Sequence, residues 1–269
     1  MTAIRQPLFD FAVQCAGRVL IARDLLLGRI KRNWVIHSAE PGVARLRIES
    51  GANVLDALLV EPKPGTARAS VLICHGIGET VQHWYAVQQL LAVHGVASLV
   101  FDYSGYGKSS GAFGARQSEL DAEMAFRTLA RLTAPLPVSV LGYSLGSGIG
   151  AAILPRVPAH SLLLCAAFTS LRAAARRVGV FGMLGLATPE IWNSVDALRA
   201  CTVPVQIVHG GKDRLFPPAM ASDLKNACNS RAELVVVPGV AHNEPYCRPR
   251  LSYWGPVIAH LVASPGKAA

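Results

Sequence analysis

The chain has 269 residues, of which 51% are hydrophobic and 16% charged, so its composition predicts one globular domain with a large core. Its formal charge of +9 comes from scattered basic residues without an aromatic-interleaved stripe, which argues against nucleic-acid binding. Its six cysteines form no C-x-x-C pair, which argues against a metal site and a disulfide framework. We therefore expect a cytoplasmic protein without metal or cofactor. The excess charge either keeps the surface soluble or attracts an anionic substrate or membrane.

The first segment of the chain combines helix-forming residues with charges that interrupt its apolar positions. No apolar run there is long enough to span a bilayer, and a signal peptide is a poor match. We predict an N-terminal extension over residues 1–33 that contains an amphipathic helix packed on its own domain. The alternative is a basic helix over residues 8–32 that lies on a membrane surface, which would make the protein peripheral. A single domain over residues 34–264 and a flexible tail over 265–269 complete the predicted organisation.

The remaining segments alternate between strand and helix patterns. Residues 43–49 and 54–60 flank a turn and predict an antiparallel hairpin. Short apolar runs then predict strands at 71–74, 96–101, 137–141, 161–165, 203–208 and 234–237. Helices are predicted from 83 to 94, from 118 to 132, from 149 onward, from 218 to 227 and from 251 to 263. This alternation predicts a mostly parallel sheet of about eight strands, with helices on both faces.

One connection breaks this rhythm, because the segment between Cys165 and Cys201 is about twice as long as usual and rich in apolar residues. We predict a short lid over about residues 168–200 that forms one wall of an apolar pocket. Phe181, Leu184 and Trp192 are its candidate substrate-binding residues. The alternative is a longer helix packed on the sheet.

A G-x-S-x-G motif, Gly142-Tyr143-Ser144-Leu145-Gly146, lies between a predicted strand and a predicted helix. At such a junction the motif forms a sharp turn that holds the serine in a strained conformation with its hydroxyl exposed. The two glycines allow strand and helix to approach closely, and the helix N-terminus directs N–H groups toward the serine. Ser144 is therefore the candidate nucleophile.

Two later strands lead to candidate partners for this serine. The strand ending at Val208 is followed by Asp213, and the strand ending at Val237 is followed by His242. Ligands bind beyond the carboxyl ends of strands in such a sheet, so the three side chains are expected to meet there. A neutral imidazole takes the serine proton, and a carboxylate orients that imidazole. His242 is therefore predicted as general base and then acid, with Asp213 as the orienting carboxylate.

The tetrahedral intermediate also needs hydrogen-bond donors for its oxyanion. The backbone N–H groups of Leu145 and Ile77 are the candidates, since one follows the serine and the other lies in the loop after an early strand. His75, in that same loop, is expected to stabilise it rather than to move protons.

Other residues are weaker candidates for the base and the acid. His83 and His94 fall on a predicted helix, and His209 lies at a strand end beside the acid. Glu244 follows His242 by two residues and is expected to be too close to reach its far nitrogen.

Over about residues 43–261, the chain resembles the α/β-hydrolase superfamily. The resemblance rests on His75-Gly76, on DYSGYGKS at 102–109, on the G-x-S-x-G motif, on GKD at 211–213 and on His242. It is similar to the small, nearly capless serine hydrolases that include acyl-protein-thioesterase-like and serine-aminopeptidase-like members. The resemblance implies an α/β-hydrolase fold and hydrolysis of an ester, thioester or amide through an acyl-enzyme.

These observations together predict a cofactor-free serine hydrolase with a small-molecule acyl substrate. We expect it to cleave carboxylic esters or thioesters with short-to-medium acyl groups. A peptidase or amidase on the same triad is one alternative, and a catalytically silent binding protein with a hydrolase fold is another.

Overall fold

The structure, a computed structural model, describes Asp10 and residues 40–177, 191–228 and 232–263. Most of the predicted N-terminal extension, the predicted tail over residues 265–269 and the middle of the predicted lid therefore lie outside the described residues. The hypothesis that residues 8–32 contact a membrane stays a prediction. Among the described helices, none is long and apolar enough to cross a membrane.

Eight strands form one sheet in the described residues. They are β1 (Val43–Ser50), β2 (Asn53–Val60), β3 (Ala69–Cys74), β4 (Val96–Phe101), β5 (Val138–Tyr143), β6 (Leu162–Cys165), β7 (Val205–Gly210) and β8 (Ala232–Val237). Their order in the sheet is β1-β2-β4-β3-β5-β6-β7-β8. β1 pairs antiparallel with β2 and β2 antiparallel with β4, whereas the remaining neighbours are parallel. The predicted hairpin and mostly parallel sheet are thus confirmed.

Helices cover both faces of this sheet. Successive residues of β3 show why, since Leu72 belongs to one buried apolar cluster and Ile73 to another on the opposite face. The described helices are α1 (Val81–Val93), α2 (Ala115–Thr133), α3 (Leu145–Ile153), α4 (Leu171–Arg177), α5 (Ser194–Arg199), α6 (Pro218–Ala227), α7 (Glu244–Cys247) and α8 (Leu251–Val262). Helices α2, α3 and α6 contribute to the first cluster, and α1 and α8 contribute to the second.

The N-terminus of α2 is capped by a residue from far earlier in the chain. Its N-cap residue is Gly114, which has no side chain to accept the first amide protons. Asp10 Oδ1 instead accepts a hydrogen bond from the Ala115 N–H at 3.1 Å. A carboxylate at this end of a helix also interacts favourably with the helix dipole. Asp10 therefore supplies the acceptor that Gly114 lacks.

Candidate active site

The G-x-S-x-G motif forms the turn between β5 and α3. Ser144 lies at its apex with φ 52° and ψ −117°, a backbone conformation that side-chain-bearing residues rarely adopt. A Cβ on Gly142 would lie 2.5 Å from the Gly146 carbonyl oxygen, and one on Gly146 would lie 1.9 Å from the Cys74 carbonyl oxygen. Both positions therefore require glycine, because the backbones approach too closely for any side chain.

His242 lies between Ser144 and Asp213 and is hydrogen-bonded to both. The Ser144 hydroxyl donates to His242 Nε2 at 3.0 Å, and His242 Nδ1 donates to Asp213 Oδ2 at 2.7 Å. Asp213 Oδ1 accepts hydrogen bonds at 2.9 Å from the backbone N–H groups of Leu215 and Phe216. Because Nδ1 carries the donated proton, Nε2 is available to take the proton of the serine hydroxyl.

Two aromatic residues hold His242 in this position. The hydroxyl of Tyr143 donates to the His242 carbonyl oxygen, which joins the loop after β8 to the residue before Ser144. Phe216 packs edge-on against the imidazole, with ring centroids 5.1 Å apart. Sequence reasoning missed both contacts, since Tyr143 occupies a position that the motif leaves unspecified.

The loop after β3 lies directly beside the candidate nucleophile. A Cβ on Gly76 would lie 3.2 Å from Ser144 Cβ. The Gly76 N–H donates to Glu79 Oε2 at 2.8 Å, so it is already in use. Within the described residues, the N–H groups of Ile77 and Leu145 donate to no protein acceptor. These are the two amides that the sequence motifs predict as oxyanion donors, and that role stays a prediction.

His75 stabilises this loop through a hydrogen bond and a ring contact. Its Nδ1 donates to the Gly76 carbonyl oxygen at 2.8 Å, and its ring packs against Tyr103 with centroids 4.5 Å apart. Burial lowers the pKa of His75 to about 3, so the ring stays neutral at physiological pH. A permanently neutral, buried imidazole is suited to a supporting role rather than to proton transfer.

Asp102 fastens the loop after β4 to the start of α1. Its Oδ1 accepts from the Val81 N–H at 2.8 Å, and its Oδ2 accepts from the Lys108 N–H at 3.2 Å. Gly107 has φ +47°, and a Cβ there would lie 1.7 Å from the same carboxylate. Burial raises the pKa of Asp102 to about 7, although the backbone donors oppose the shift.

The weaker sequence candidates have other partners. His209 Nε2 donates to the Phe216 carbonyl oxygen at 2.8 Å, and burial lowers the pKa of this histidine. Glu244 accepts from the Ala241 N–H at 2.8 Å and so closes its own loop. His83 accepts from the Thr80 N–H, and His94, the residue after α1 ends, donates to the Leu90 carbonyl oxygen. None of these hydrogen bonds involves Ser144.

The predicted substrate-binding residues are described only in part. Phe181 and Leu184 lie outside the described residues. Trp192 is buried and donates its indole N–H to Glu119 at 2.9 Å. A Cβ on Gly148, in the first turns of α3, would lie 2.7 Å from Trp192 Cβ. Trp192 thus packs one helical turn beyond the serine, and its contact with substrate stays a prediction.

Among the described residues, no group of three or more His, Cys, Asp or Glu side chains is arranged to hold a metal ion.

The turn, the sheet order and the late histidine together define an α/β-hydrolase architecture. A family model described as serine aminopeptidase, S33, matches residues 65–194. An esterase from Pyrococcus furiosus superimposes with a TM-score of 0.65 at 16% identity, covering 82% of this chain and 89% of that chain.

Two curated relatives match at somewhat higher identity. An uncharacterized protein of Mycobacterium tuberculosis is 28% identical over 185 residues, which is 67% of this chain and 65% of the relative. The lysophosphatidylserine lipase ABHD12 of Danio rerio is 26% identical over 187 residues, or 62% of this chain and 49% of the relative. The chain spans less than two thirds of the length of these relatives. Together with the family match, these similarities agree with the α/β-hydrolase fold that the sheet order and the turn define.

Proposed function

We propose that this protein is a serine hydrolase that cleaves carboxylic esters or thioesters with short-to-medium acyl groups. The observation that carries this proposal is the unbroken hydrogen-bonded series from the Ser144 hydroxyl through His242 to Asp213. A strained serine, an imidazole hydrogen-bonded at both nitrogens and a buried carboxylate, in that order, form the arrangement that activates a serine nucleophile.

The geometry supports a two-step reaction. Ser144 Oγ attacks the carbonyl carbon while His242 Nε2 takes its proton, and Asp213 stabilises the imidazolium that forms. The oxyanion is held by the N–H groups of Ile77 and Leu145, and His242 returns the proton to the leaving alkoxide or thiolate. Water activated by the same imidazole then attacks the acyl-enzyme and releases the carboxylic acid and free Ser144.

We favour an ester rather than an amide as the substrate because similar proteins are named as an esterase and a lipase. The Pyrococcus furiosus structure is that of an esterase, and the Danio rerio relative is named a lipase. The preference for short-to-medium acyl groups depends on the apolar lid predicted over about residues 168–200.

Turnover of p-nitrophenyl esters and acyl-CoA thioesters of increasing chain length tests this proposal. We expect a clear optimum, and a loss of about 10³-fold or more in Ser144→Ala. Ser222→Ala is the matched control, because Ser222 lies exposed on α6. Activity that survives Ser144→Ala would overturn the mechanism.

A peptidase or amidase is the second candidate, because the matching family model is described as a serine aminopeptidase. Labelling of Ser144 by a fluorophosphonate, together with turnover of aminoacyl anilides but not of esters, would favour it. A catalytically silent binding protein is the remaining alternative, and it would show neither labelling nor turnover.

A further inference from the structure

Glu79 is a buried carboxylate in the same loop as Ile77, two residues further along the chain. It lies between β3 and α1 and is 4% exposed. Its Oε2 atom accepts two hydrogen bonds of 2.8 Å, one from the Gly76 backbone N–H and one from the indole N–H of Trp84. Burying a carboxylate is costly unless it is well hydrogen-bonded, so these donors define where the carboxylate lies.

The bond to Gly76 determines which amide of the loop remains available to a ligand. Because the Gly76 N–H points at Glu79, it is not available to an oxyanion beside Ser144. The next amide, that of Ile77, donates to no acceptor in the described part of the chain. Glu79 thus engages the Gly76 amide, whereas the Ile77 amide remains available to a ligand.

Gly76 is also in close contact with both Glu79 and the serine. A Cβ there would lie 2.5 Å from Glu79 Oε1 and 3.2 Å from Ser144 Cβ, so both groups lie against the face of Gly76 where a side chain would begin. The loop backbone is therefore closely packed against the carboxylate and the serine. Any shift of the carboxylate therefore changes the distance between the loop and the nucleophile.

The second donor attaches Glu79 to a rigid part of the core. Trp84 is fully buried on α1, and its ring lies 5.2 Å from that of Tyr143 and 5.9 Å from that of Tyr246. Tyr143 directly precedes Ser144 and donates to the His242 carbonyl oxygen. Glu79 is therefore anchored to the same aromatic cluster that positions the serine and the histidine.

We propose that Glu79 is a positioning residue for the hydrolysis, which fixes the Ile77 N–H where the oxyanion forms. This inference rests on the proposed function. Glu79 contacts Gly76 and Trp84 and acts through the loop. An oxyanion exists only in the transition state and the intermediate, so a displaced donor lowers kcat and leaves KM nearly unchanged.

Substitutions of Glu79 separate its hydrogen bonds from its charge. Glu79→Leu removes the hydrogen bonds from the Gly76 N–H and the Trp84 indole N–H, whereas Glu79→Gln keeps a side-chain oxygen that accepts them. We expect kcat to fall about 100-fold in Glu79→Leu, as for loss of one oxyanion donor, and to recover most of that loss in Glu79→Gln. The affinity of a trifluoromethyl ketone that forms a tetrahedral adduct with Ser144 should fall in parallel with kcat.

Gln88→Leu is the matched control on α1. It also removes two buried hydrogen bonds, from Gln88 Nε2 to the carbonyl oxygens of Leu58 and Ser98, but away from the loop. It should lower stability and leave kcat unchanged. Parent-like kcat in Glu79→Leu, or an equal loss in Gln88→Leu, overturns the inference.

Amide hydrogen exchange of the parent protein, measured at single residues, tests the inference without any variant. The Gly76 amide should be protected and the Ile77 amide should exchange faster. Equal exchange at the two amides contradicts the inference even if Glu79→Leu fails to fold. Absence of ester turnover in the parent, by contrast, contradicts the proposed function, and the exchange rates still report on Glu79.

Discussion

Replacement of Gly146 by alanine tests whether the close approach of α3 to β3 sets both stability and activity. The added Cβ would lie 1.9 Å from the Cys74 carbonyl oxygen, 2.4 Å from the Cys74 carbonyl carbon and 2.7 Å from the His75 carbonyl oxygen. All three obstacles are backbone atoms, so no side-chain rotation relieves the overlap.

The required displacement follows from these distances. A real Cβ is essentially never closer than 3.0 Å to such an atom, so α3 and the end of β3 must separate by 3.0 − 1.9 = 1.1 Å. Overpacking of this kind costs about 3 kcal/mol of unfolding free energy. The Ile77 amide lies only three residues beyond Cys74, and a shift of about 1 Å in a catalytic group costs about 100-fold in rate.

Urea titration and p-nitrophenyl ester turnover measure the two effects together. Gly150→Ala is the matched control on the same helix, where the nearest atom to an added Cβ is a Val140 methyl group at 3.1 Å. Since that methyl group can yield, we expect a change below about 1 kcal/mol and normal turnover. Parent-like stability and kcat in Gly146→Ala would refute the reasoning.

Three further predictions concern carboxylates. Asp213→Asn should lower kcat about 10⁴-fold, because the imidazole of His242 loses its correct tautomer; unchanged turnover would remove Asp213 from the triad. Asp10→Ala should cost about 1 kcal/mol in urea titration, since the Ala115 N–H loses its acceptor, and an unchanged midpoint would contradict the cap. Burial raises the pKa of Asp102 from 3.8 to about 7, so the folded state keeps a proton that the unfolded chain releases. The stability contributed by this group is therefore lost as pH rises from about 4 to about 7, and a parent-minus-variant difference for Asp102→Asn that is constant over this window would contradict the shift.

The sheet and the three hydrogen-bonded side chains were predictable because each depends on local sequence. The strand patterns are continuous apolar runs, and Ser144, Asp213 and His242 each follow one of them. Helix α3 begins at Leu145, earlier than the predicted position 149, because close packing overrides the low helix propensity of its glycines. Helices α5 and α7 were missed, since six and four residues are too few to show a helical period, and α4 was missed inside the predicted lid.

The contacts that position the site were not predictable from the sequence. Tyr143 and His242 are 99 residues apart, and their hydrogen bond depends on folding that no local pattern encodes. The Glu79 carboxylate accepts hydrogen bonds from the Gly76 amide and the Trp84 indole across a turn, and the residue types alone do not predict these pairings. The Glu79 bonds join residues three and five positions apart, and the Tyr143 bond spans the chain, but none of them follows a helix or strand period, so only the structure shows them.

The strand that leads to His242 has a consequence for how this protein loses activity on heating. In the described sheet, β8 is an outer strand bonded to β7, and Val236 on it is 40% exposed, whereas β5, which leads to Ser144, lies between β3 and β6. Outer segments with few buried contacts open locally at a lower free energy than the centre of a domain. On mild heating, β8 should therefore open and move the His242 imidazole away from Ser144 while the centre of the sheet is still folded. Thermal inactivation would then report local opening of this outer strand rather than unfolding of the whole domain.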